Sequence, residues 1–173
     1  SVVWNPDSIL IISLTSFPAR IDHAWIAIES LFQQDLRPWK IVLVLSDEEF
    51  PKRELPKSIL GQQNRGLEIL WTPRNIRSFQ KLLPTRQKYP DAIIVTADDD
   101  IIYEPWRLRL LHESFQRIPG TIIGHRGWVV TSNNAGLAPY VSWPAARPGI
   151  PSDRLFLTGV GLILYPPHVL PND

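Results

Sequence analysis

The sequence contains no cysteine and no methionine. Without cysteine, disulfides and thiolate metal sites are excluded, so oxygen and imidazole remain as the available metal ligands. The missing methionine, including an initiator, leads us to expect a fragment or a processed chain. No run approaches the ~18 uninterrupted apolar residues of a membrane span, and there is no secretory signal pattern. We therefore expect a cytoplasmic protein.

A strong excess of charge is also lacking, since 18 Lys and Arg residues against 17 Asp and Glu residues give a net charge of +1. A nucleic-acid footprint needs basic residues clustered on one face, so no nucleic-acid partner is expected. The length of 173 residues and the hydrophobic fraction of 44% suit one domain with a proper core. We predict a single domain over residues 1–173.

Four apolar runs are typical of strands buried on both faces, at residues 8–14, 40–45, 67–71 and 92–96. Helical spacing follows the first run, from Asp22 to about Gln34. It recurs in parts over residues 78–89, where Pro84 is expected to cut the helix, and from Pro105 to about Ile118. Strands alternating with helices predict the α/β class, with a mostly parallel sheet covered on both faces.

The amino-acid composition changes after residue 120, where glycine, proline and tryptophan become frequent. Runs at residues 121–124, 128–131, 155–158 and 162–165 predict short strands and not βα units. We therefore expect a parallel front half over residues 1–120 and a smaller, irregular back half over residues 121–173.

Three aspartates, Asp98, Asp99 and Asp100, follow the fourth apolar run directly. If the chain stays extended, Asp98 and Asp100 share one face and Asp99 lies on the other. Two neighbouring carboxylates repel each other, and a divalent cation such as Mg²⁺ or Mn²⁺ relieves that repulsion. A solvated acidic turn is an equally good interpretation of these three residues alone.

Polar residues also follow the other predicted strands. Thr15, Ser16 and Arg20 come after the first strand, and Ser46 and Asp47 come after the second. In open parallel sheets, ligands bind beyond the carboxyl ends of the strands. Because these polar residues and the three aspartates would lie along the same edge of the sheet, a ligand site is favoured over a solvated turn.

Six short motifs occur in a characteristic order along the chain. They are Ser-Leu-Thr-Ser-Phe-Pro-Ala-Arg (13–20), Val-Leu-Ser-Asp (44–47), Ser-Phe-Gln-Lys-Leu-Leu-Pro (78–84), Asp-Asp-Asp-Ile-Ile-Tyr (98–103), His-Arg (125–126) and Thr-Gly-Val-Gly-Leu-Ile-Leu-Tyr-Pro-Pro (158–167). Together they resemble a nucleotide-sugar-dependent glycosyltransferase of the GT-A type, in the family-2-like group found in bacterial surface-polysaccharide gene clusters. The resemblance covers residues 9 to 167. It implies a Rossmann-like GT-A fold and transfer of a sugar, expected to come from a UDP-sugar, to a glycan or lipid-linked acceptor.

The resemblance also implies roles for the front-half residues. Asp98 and Asp100 would contact a Mn²⁺ or Mg²⁺ ion together with the sugar nucleotide, while Asp99 would touch the ribose or sugar, or face away. The remaining donor-side residues would be Thr15, Ser16 and Arg20 along the nucleotide, Asp47 at the base or ribose, and Lys81 at a phosphate. The alternatives are a surface ion pair for Arg20, a turn residue at Asp47 and a solvated lysine at Lys81.

In the back half, His125 is expected as a third metal ligand or a phosphate donor, or merely as a hydrogen-bonded histidine. Trp128, with Trp143, would form a sugar-stacking face on the acceptor side, or pack in the core. Gly159 and Gly161 flank a turn where the backbone can approach a ligand. The family usually has a second glycine where this chain has Leu162, so we expect a narrower acceptor site or a tilted loop.

The resemblance places the general base in an acidic motif beyond the Tyr-Pro-Pro segment. The sequence ends at Asp173, so the base is expected beyond that residue, in a chain truncated at its C-terminus. Two hypotheses stay open: an active glycosyltransferase, expected to associate peripherally with the inner face of a membrane, and a catalytically incomplete nucleotide-sugar-binding domain. A Mg²⁺-dependent phosphatase is given little weight, because its acidic pair would follow the first strand.

Overall fold

The computed structural model describes residues 9–134 and 136–170. Within these ranges four α-helices are formed: α1 (Ile21–Phe32), α2 (Lys57–Gln63), α3 (Leu83–Lys88) and α4 (Arg107–Arg117). The strands are β1 (Leu10–Thr15), β2 (Lys40–Ser46), β3 (Leu67–Thr72), β4 (Ile93–Thr96), β5 (Ile123–Gly124), β6 (Gly127–Val129), β7 (Ser132–Asn133), β8 (Gly136–Leu137), β9 (Leu155–Leu157) and β10 (Ile163–Tyr165).

The central sheet has the strand order β3-β2-β1-β4-β10-β5. The first four strands are parallel to one another. Strand β10 enters between β4 and β5 and runs antiparallel to both. The mostly parallel α/β sheet that the sequence predicts is therefore confirmed, with one antiparallel strand inserted near its edge.

The alternation of side chains divides the core into two layers. On one face of the sheet, Ile12 and Leu43 pack with Leu31 of α1 and Phe115 of α4. On the other face, a smaller cluster contains Ile11, Val42, Val44, Leu82, Ala92 and Ile94. Each fully buried aliphatic side chain contributes roughly 1.5–3 kcal/mol to folding. Burial on both faces explains why the central positions of β1, β2 and β4 are almost all apolar.

Pro84 does not cut a helix, contrary to the expectation from the sequence. The segment consists of a 3₁₀ helix, Arg77–Lys81, followed by α3 with Pro84 in its first turn. The first turn of a helix is where a missing amide hydrogen is tolerated. The proline therefore helps to start α3, and the preceding 3₁₀ turn stays at the carboxyl edge of the sheet.

The back half is connected to the main sheet through β5 and β10. Its other strands form a ladder between β6 and β9 and a small hairpin of β7 and β8. The short strands predicted in this half are present, although each covers only two or three residues. None of the helices in the described ranges has the length and apolar character needed to cross a membrane.

Candidate active site at the carboxyl edge of the sheet

The segments that follow β1 and β4 are held together through Asp99. Ser16 Oγ donates a hydrogen bond to Asp99 Oδ2 at 2.6 Å, and Arg20 Nη1 donates to Asp99 Oδ1 at 3.1 Å. The same Arg20 nitrogen donates to Asp100 Oδ2 at 2.7 Å. Because β1 and β4 are parallel neighbours, their carboxyl ends meet here. The sheet topology therefore brings these predicted donor-side residues together.

The acidic segment turns after Asp98 instead of staying extended. Asp99 and Asp100 lie in a turn, with Asp99 buried and Asp100 exposed. Arg20 is consequently shared by Asp99 and Asp100, and the extended alternation predicted for the three acids is wrong. The role of Asp98 and Asp100 as metal ligands stays a prediction. Tyr103 supplies the physical reason: its buried hydroxyl accepts a hydrogen bond from the Asp98 backbone N–H at 2.8 Å.

Asp98 contacts Lys81 on the opposite side of the acidic segment. Lys81 Nζ donates to Asp98 Oδ1, and both side chains are largely buried. Gly159 lies against this ion pair, because a Cβ at Gly159 would be 2.9 Å from both Asp98 Oδ1 and Lys81 Nζ. A larger residue here would displace the ends of these two side chains. The glycine brings the turn before β10 directly over the acidic segment.

These groups line a pocket with a volume of about 410 Å³. The lining consists of Thr15, Ser16, Phe17, Arg20, Glu49, Asn75, Arg77, Ser78, Lys81, Ala97, Asp98, Asp99 and Asp100. The Arg20 guanidinium lies over the Phe17 ring, 5.4 Å from the ring centroid. The carboxylates of Asp99 and Asp100 raise the pKa of Arg20, so this cation remains charged at every pH of interest. The pocket therefore carries both fixed cations and carboxylate oxygens.

Four polar or charged lining residues were not predicted: Glu49, Asn75, Arg77 and Ser78. Glu49 follows β2, and the other three follow β3, so the edge rule that selected Thr15 also applies to them. Their loop is connected to β2 by a hydrogen bond from the Asn75 backbone N–H to Glu48 Oε2 at 2.7 Å. Applying the rule to the third strand as well as to the first two would have found this wall of the pocket.

Among the predicted donor residues, Thr15 lines the pocket while its hydroxyl donates to the Val44 carbonyl at 2.8 Å. Asp47 is not among the lining residues. Its carboxylate accepts two hydrogen bonds from Arg53, at 2.6 and 2.9 Å, and this pairing lowers the pKa of Asp47. The contact of Asp47 with a base or ribose stays a prediction.

His125 does not join the acidic residues as a third metal ligand. Its Nε2 lies 2.9 Å from the Arg107 carbonyl, and its ring meets Trp106 edge-on at 6.3 Å. Burial lowers the pKa of His125. In the part of the chain that the structure describes, no group of three or more His, Asp or Glu side chains is placed to hold a metal ion. The predicted set of Asp98, Asp100 and His125 is therefore not assembled, because the histidine ring is turned towards α4.

Leu162 does not narrow the acceptor side, contrary to the expectation from the sequence. Its side chain has no exposed surface and belongs to the main core. The backbone nevertheless adopts φ 71° and ψ 143°, a conformation that glycine accepts far more readily. The preceding Gly161 is also constrained, since a Cβ there would be 2.8 Å from His125 Cβ. Core burial therefore holds a leucine in a strained turn.

The aromatic side chains of the back half form one cluster. Trp128, Tyr140, Trp143 and Phe156 meet edge-to-face, with centroid separations from 5.3 to 6.1 Å. Trp128 is partly buried, and its Nε1 has no hydrogen-bond partner among the described residues. The more exposed rings are Tyr140 (49%) and Phe156 (48%). Trp128 and Trp143 thus pack beneath the more exposed rings of the cluster. The rings accessible to a ligand are those of Tyr140 and Phe156, which the sequence analysis did not select.

No protein-family model matches the chain, and a search of curated proteins found no match. Among solved structures, the chain is similar to CMP:2-keto-3-deoxy-manno-octonic acid synthetase complexed with CTP, with a TM-score of 0.53 and 16% sequence identity. The alignment covers 94% of this chain and 74% of that chain. This likeness shows the Rossmann-like fold, whereas membership of the glycosyltransferase group stays a prediction. Asp173 lies outside the described residues.

Proposed function

We propose that this protein is a metal-dependent glycosyltransferase that uses a nucleoside-diphosphate sugar, with UDP as the nucleotide, and a glycan hydroxyl as acceptor. The observation that carries the proposal is the pocket at the carboxyl edge of the sheet, where Asp98, Asp99 and Asp100 meet Arg20 and Lys81. Ligands of open α/β sheets bind at this edge. The solved structure with a similar fold is complexed with CTP, which supports a nucleotide as the ligand.

The cations of the pocket suit a diphosphate. Arg20 and Lys81 are hydrogen-bonded to the acidic segment, and Arg77 also lines the pocket. Guanidinium and ammonium groups bind phosphate oxygens through charge-assisted hydrogen bonds. When the donor binds, Lys81 and Arg20 would turn from Asp98 and Asp100 to phosphate oxygens, while Arg20 keeps its hydrogen bond to Asp99. The divalent cation would then balance the charge of Asp98 and Asp100.

The carboxylates suit a hard divalent cation. Mg²⁺ is commonly held by one or two protein carboxylates with substrate phosphates completing its shell, and Asp98 and Asp100 provide two. A bound Mn²⁺ or Mg²⁺ supplies Lewis-acid stabilisation of the negative charge on the departing diphosphate. Asp99 has a different role, because Ser16 and Arg20 already hold both of its oxygens. It positions Arg20 at the pocket wall.

The second candidate is a nucleotide-sugar-binding domain without a general base. One observation favours it: every carboxylate lining the described part of the pocket already accepts a hydrogen bond. Asp98 accepts from Lys81, Asp99 and Asp100 accept from Arg20, and Glu49 accepts from the Ser46 hydroxyl at 3.0 Å. In the first candidate the base lies beyond Asp173, as the family resemblance implies.

Calorimetric titration of UDP with and without Mn²⁺ tests the donor site. We expect binding that requires Mn²⁺ in the wild type and is lost in Asp100→Ala, because one of the two metal-binding carboxylates is removed. Asp91→Ala is the matched control, since Asp91 is an exposed carboxylate outside the pocket. Binding of UDP that needs no metal and is unaltered in Asp100→Ala would contradict the proposal. Titrations of GDP, CDP and dTDP define the nucleotide.

An assay of sugar transfer and donor hydrolysis separates the two candidates. Transfer from a UDP-sugar to a hydroxyl acceptor supports the enzyme, whereas metal-dependent UDP binding without turnover supports the binding domain. Release of pyrophosphate from a nucleoside triphosphate and a sugar would indicate nucleotidyl transfer and contradict both candidates.

A further inference from the structure

The small sheet of the back half presents one continuous face. Strand β6 pairs with β9 so that Trp128 lies opposite Phe156, and Trp128 also bridges to Ala145 on its other side. Alternation along each strand places Arg126 on the same face as Trp128, and Arg154 on the same face as Phe156. The Arg126 guanidinium indeed lies 5.5 Å from the centroid of the Trp128 ring. We call this surface the arginine–aromatic face.

The opposite side of the same sheet is turned towards the main sheet. Leu157 lies on that side, and its side chain would be 3.3 Å from a Cβ placed on Gly124 of β5. A Cβ on Gly127 would be 3.0 Å from the same side chain. Gly124 thus allows close packing between the two sheets, Gly127 leaves room for Leu157 within the small sheet, and the arginine–aromatic face is directed away from the core.

The rings on this face can receive sugar rings. Tyr140 and Phe156 are each about half exposed and contact each other at 5.9 Å, with Trp143 packed against both. An aromatic ring has a negative face, which attracts the polarised C–H groups on the flat side of a pyranose. Two adjacent exposed rings suit consecutive residues of an extended saccharide.

The charge of this region is one-sided. Residues 121–170 contain three arginines, Arg126, Arg147 and Arg154, but only one acid, Asp153. All three arginines are exposed, and none forms an ion pair with another described residue. In the front half, five of the ten arginines, Arg20, Arg53, Arg65, Arg107 and Arg109, pair with carboxylates. Unpaired guanidinium groups beside aromatic rings are suited to carboxylates on a ligand.

The face leads towards the acidic pocket. Phe156 precedes Gly159 by three residues, about 10 Å along an extended chain. A Cβ placed on Gly159 would be 2.9 Å from Asp98 Oδ1 and from Lys81 Nζ, two residues that line the pocket. A saccharide lying along the face therefore ends beside the site where the donor sugar would be held.

We infer that the arginine–aromatic face binds the acceptor, and that this acceptor is an anionic glycan bearing carboxylates, such as a polyuronate. The inference rests on the proposed function and names the acceptor class of that same site. The uronate carboxylates contact Arg126 and Arg154, the sugar rings stack on Tyr140 and Phe156, and the reacting hydroxyl lies near Gly159.

Calorimetric titration of the whole chain with hexagalacturonate and with maltohexaose, a neutral hexasaccharide, tests the inference. We expect hexagalacturonate to bind at least about tenfold more tightly, because charge-assisted hydrogen bonds to arginine are lost with the neutral sugar. Arg126→Gln and Arg154→Gln should each weaken hexagalacturonate binding by about tenfold. Phe156→Ala should weaken the binding of both saccharides. Arg117→Gln, an exposed arginine at the end of α4, is the matched control and should change nothing.

The inference is wrong if the two saccharides bind equally, if hexagalacturonate does not bind, or if Arg117→Gln weakens it as much as Arg154→Gln. Tighter binding of a single-stranded oligothymidylate would also overturn it in favour of a nucleic-acid surface. UDP and Mn²⁺ are titrated into the same variants. In the variants UDP binding should be unchanged. For the wild type, absence of hexagalacturonate binding with intact UDP binding contradicts this inference alone, whereas glycan binding without UDP binding contradicts only the proposed function.

Discussion

Gly159 approaches Asp98 so closely that a Cβ on the glycine would stand 2.9 Å from the Oδ1 atom of the carboxylate. The two residues come from opposite halves of the chain: Asp98 follows β4, and Gly159 immediately precedes the turn into β10. The acidic segment after β4 and the turn before β10 therefore lie close together.

Gly159→Ala should weaken Mn²⁺-dependent UDP binding by at least about tenfold, because the added methyl displaces Asp98 and Lys81. Calorimetry measures this loss, and urea denaturation should show little change in the free energy of unfolding. Gly61→Ala is the matched control: a Cβ there meets no atom within 4 Å, and the position lies in α2, where alanine is favoured. Equal UDP affinity in the two variants would show that the close approach of Gly159 to Asp98 and Lys81 does not affect UDP binding.

The neighbouring acids Asp99 and Asp100 should differ sharply in their effect on stability. Asp99→Asn places an amide N–H₂ against the donors Ser16 and Arg20 in a buried site, so the free energy of unfolding should fall by about 1–3 kcal/mol. Asp100→Asn removes only an exposed contact with Arg20 and should cost less than about 1 kcal/mol. Urea denaturation of both variants measures the difference. A comparable loss in the two would contradict the buried position of Asp99.

Substitutions at Leu162 should separate backbone strain from core packing. Leu162→Ala and Leu162→Gly both remove a buried side chain, and each should lower the free energy of unfolding by about 2–5 kcal/mol before strain is considered. Glycine also relieves the positive φ of 71°. We therefore expect Leu162→Gly to be more stable than Leu162→Ala by about 1 kcal/mol, in thermal or urea unfolding. The reverse order would mean that the leucine backbone is unstrained.

Glu68, at the amino end of β3, should make stability depend on acid pH. Burial alone would raise its pKa, but hydrogen bonds from Lys40, Lys88 and Tyr89 together outweigh burial and lower the pKa from 4.5 to about 2. Because the folded-state pKa is the lower one, the stabilisation is complete above pH 4.5 and is lost as the pH falls towards 2. Between pH 5 and pH 2 the wild type should lose about 1 kcal/mol more than Glu68→Gln, allowing for partial solvent screening.

Urea denaturation at the two pH values measures this difference. Glu54→Gln provides the matched control, because Glu54 is exposed and forms no ion pair with another described residue. Between pH 5 and pH 2, Glu54→Gln should lose as much free energy of unfolding as the wild type. If Glu68→Gln lost as much stability as the wild type, the hydrogen-bonded cluster around Glu68 would have no net effect on folding.

The parallel part of the sheet was predictable because its strands are buried on both faces and carry long apolar runs. Strand β10 was predictable as a strand but not in its direction, since three residues hold no signal that distinguishes parallel from antiparallel pairing. Helix α2 was missed because, over seven residues, its buried residues are only Ile59 and Gln62. Short elements depend on tertiary contacts that local patterns do not record.

The acidic site was predictable in its position but not in its geometry. The edge rule selected Ser16, Arg20 and Asp98–Asp100, and the structure brings them together. The extended alternation of the three acids failed because Tyr103, five residues after Asp98, binds its backbone N–H and bends the chain. This hydrogen bond forms because the Tyr103 side chain is buried. The hydrophobic periodicity of the sequence does not reveal such a contact.

The position of β10 between β4 and β5 also orders events during synthesis. Strands β1 to β4 leave the ribosome with all the carboxylates of the pocket, and they pair with one another without help from the back half. Strand β5 has β10 as its partner in the sheet, and the Gly159 turn that covers Asp98 directly precedes β10. In a nascent chain, the charged groups that would hold the donor are therefore present and open to solvent before their cover can be fixed. The turn beside Asp98 can be fixed in place only when β10, the last strand of the described chain, is added.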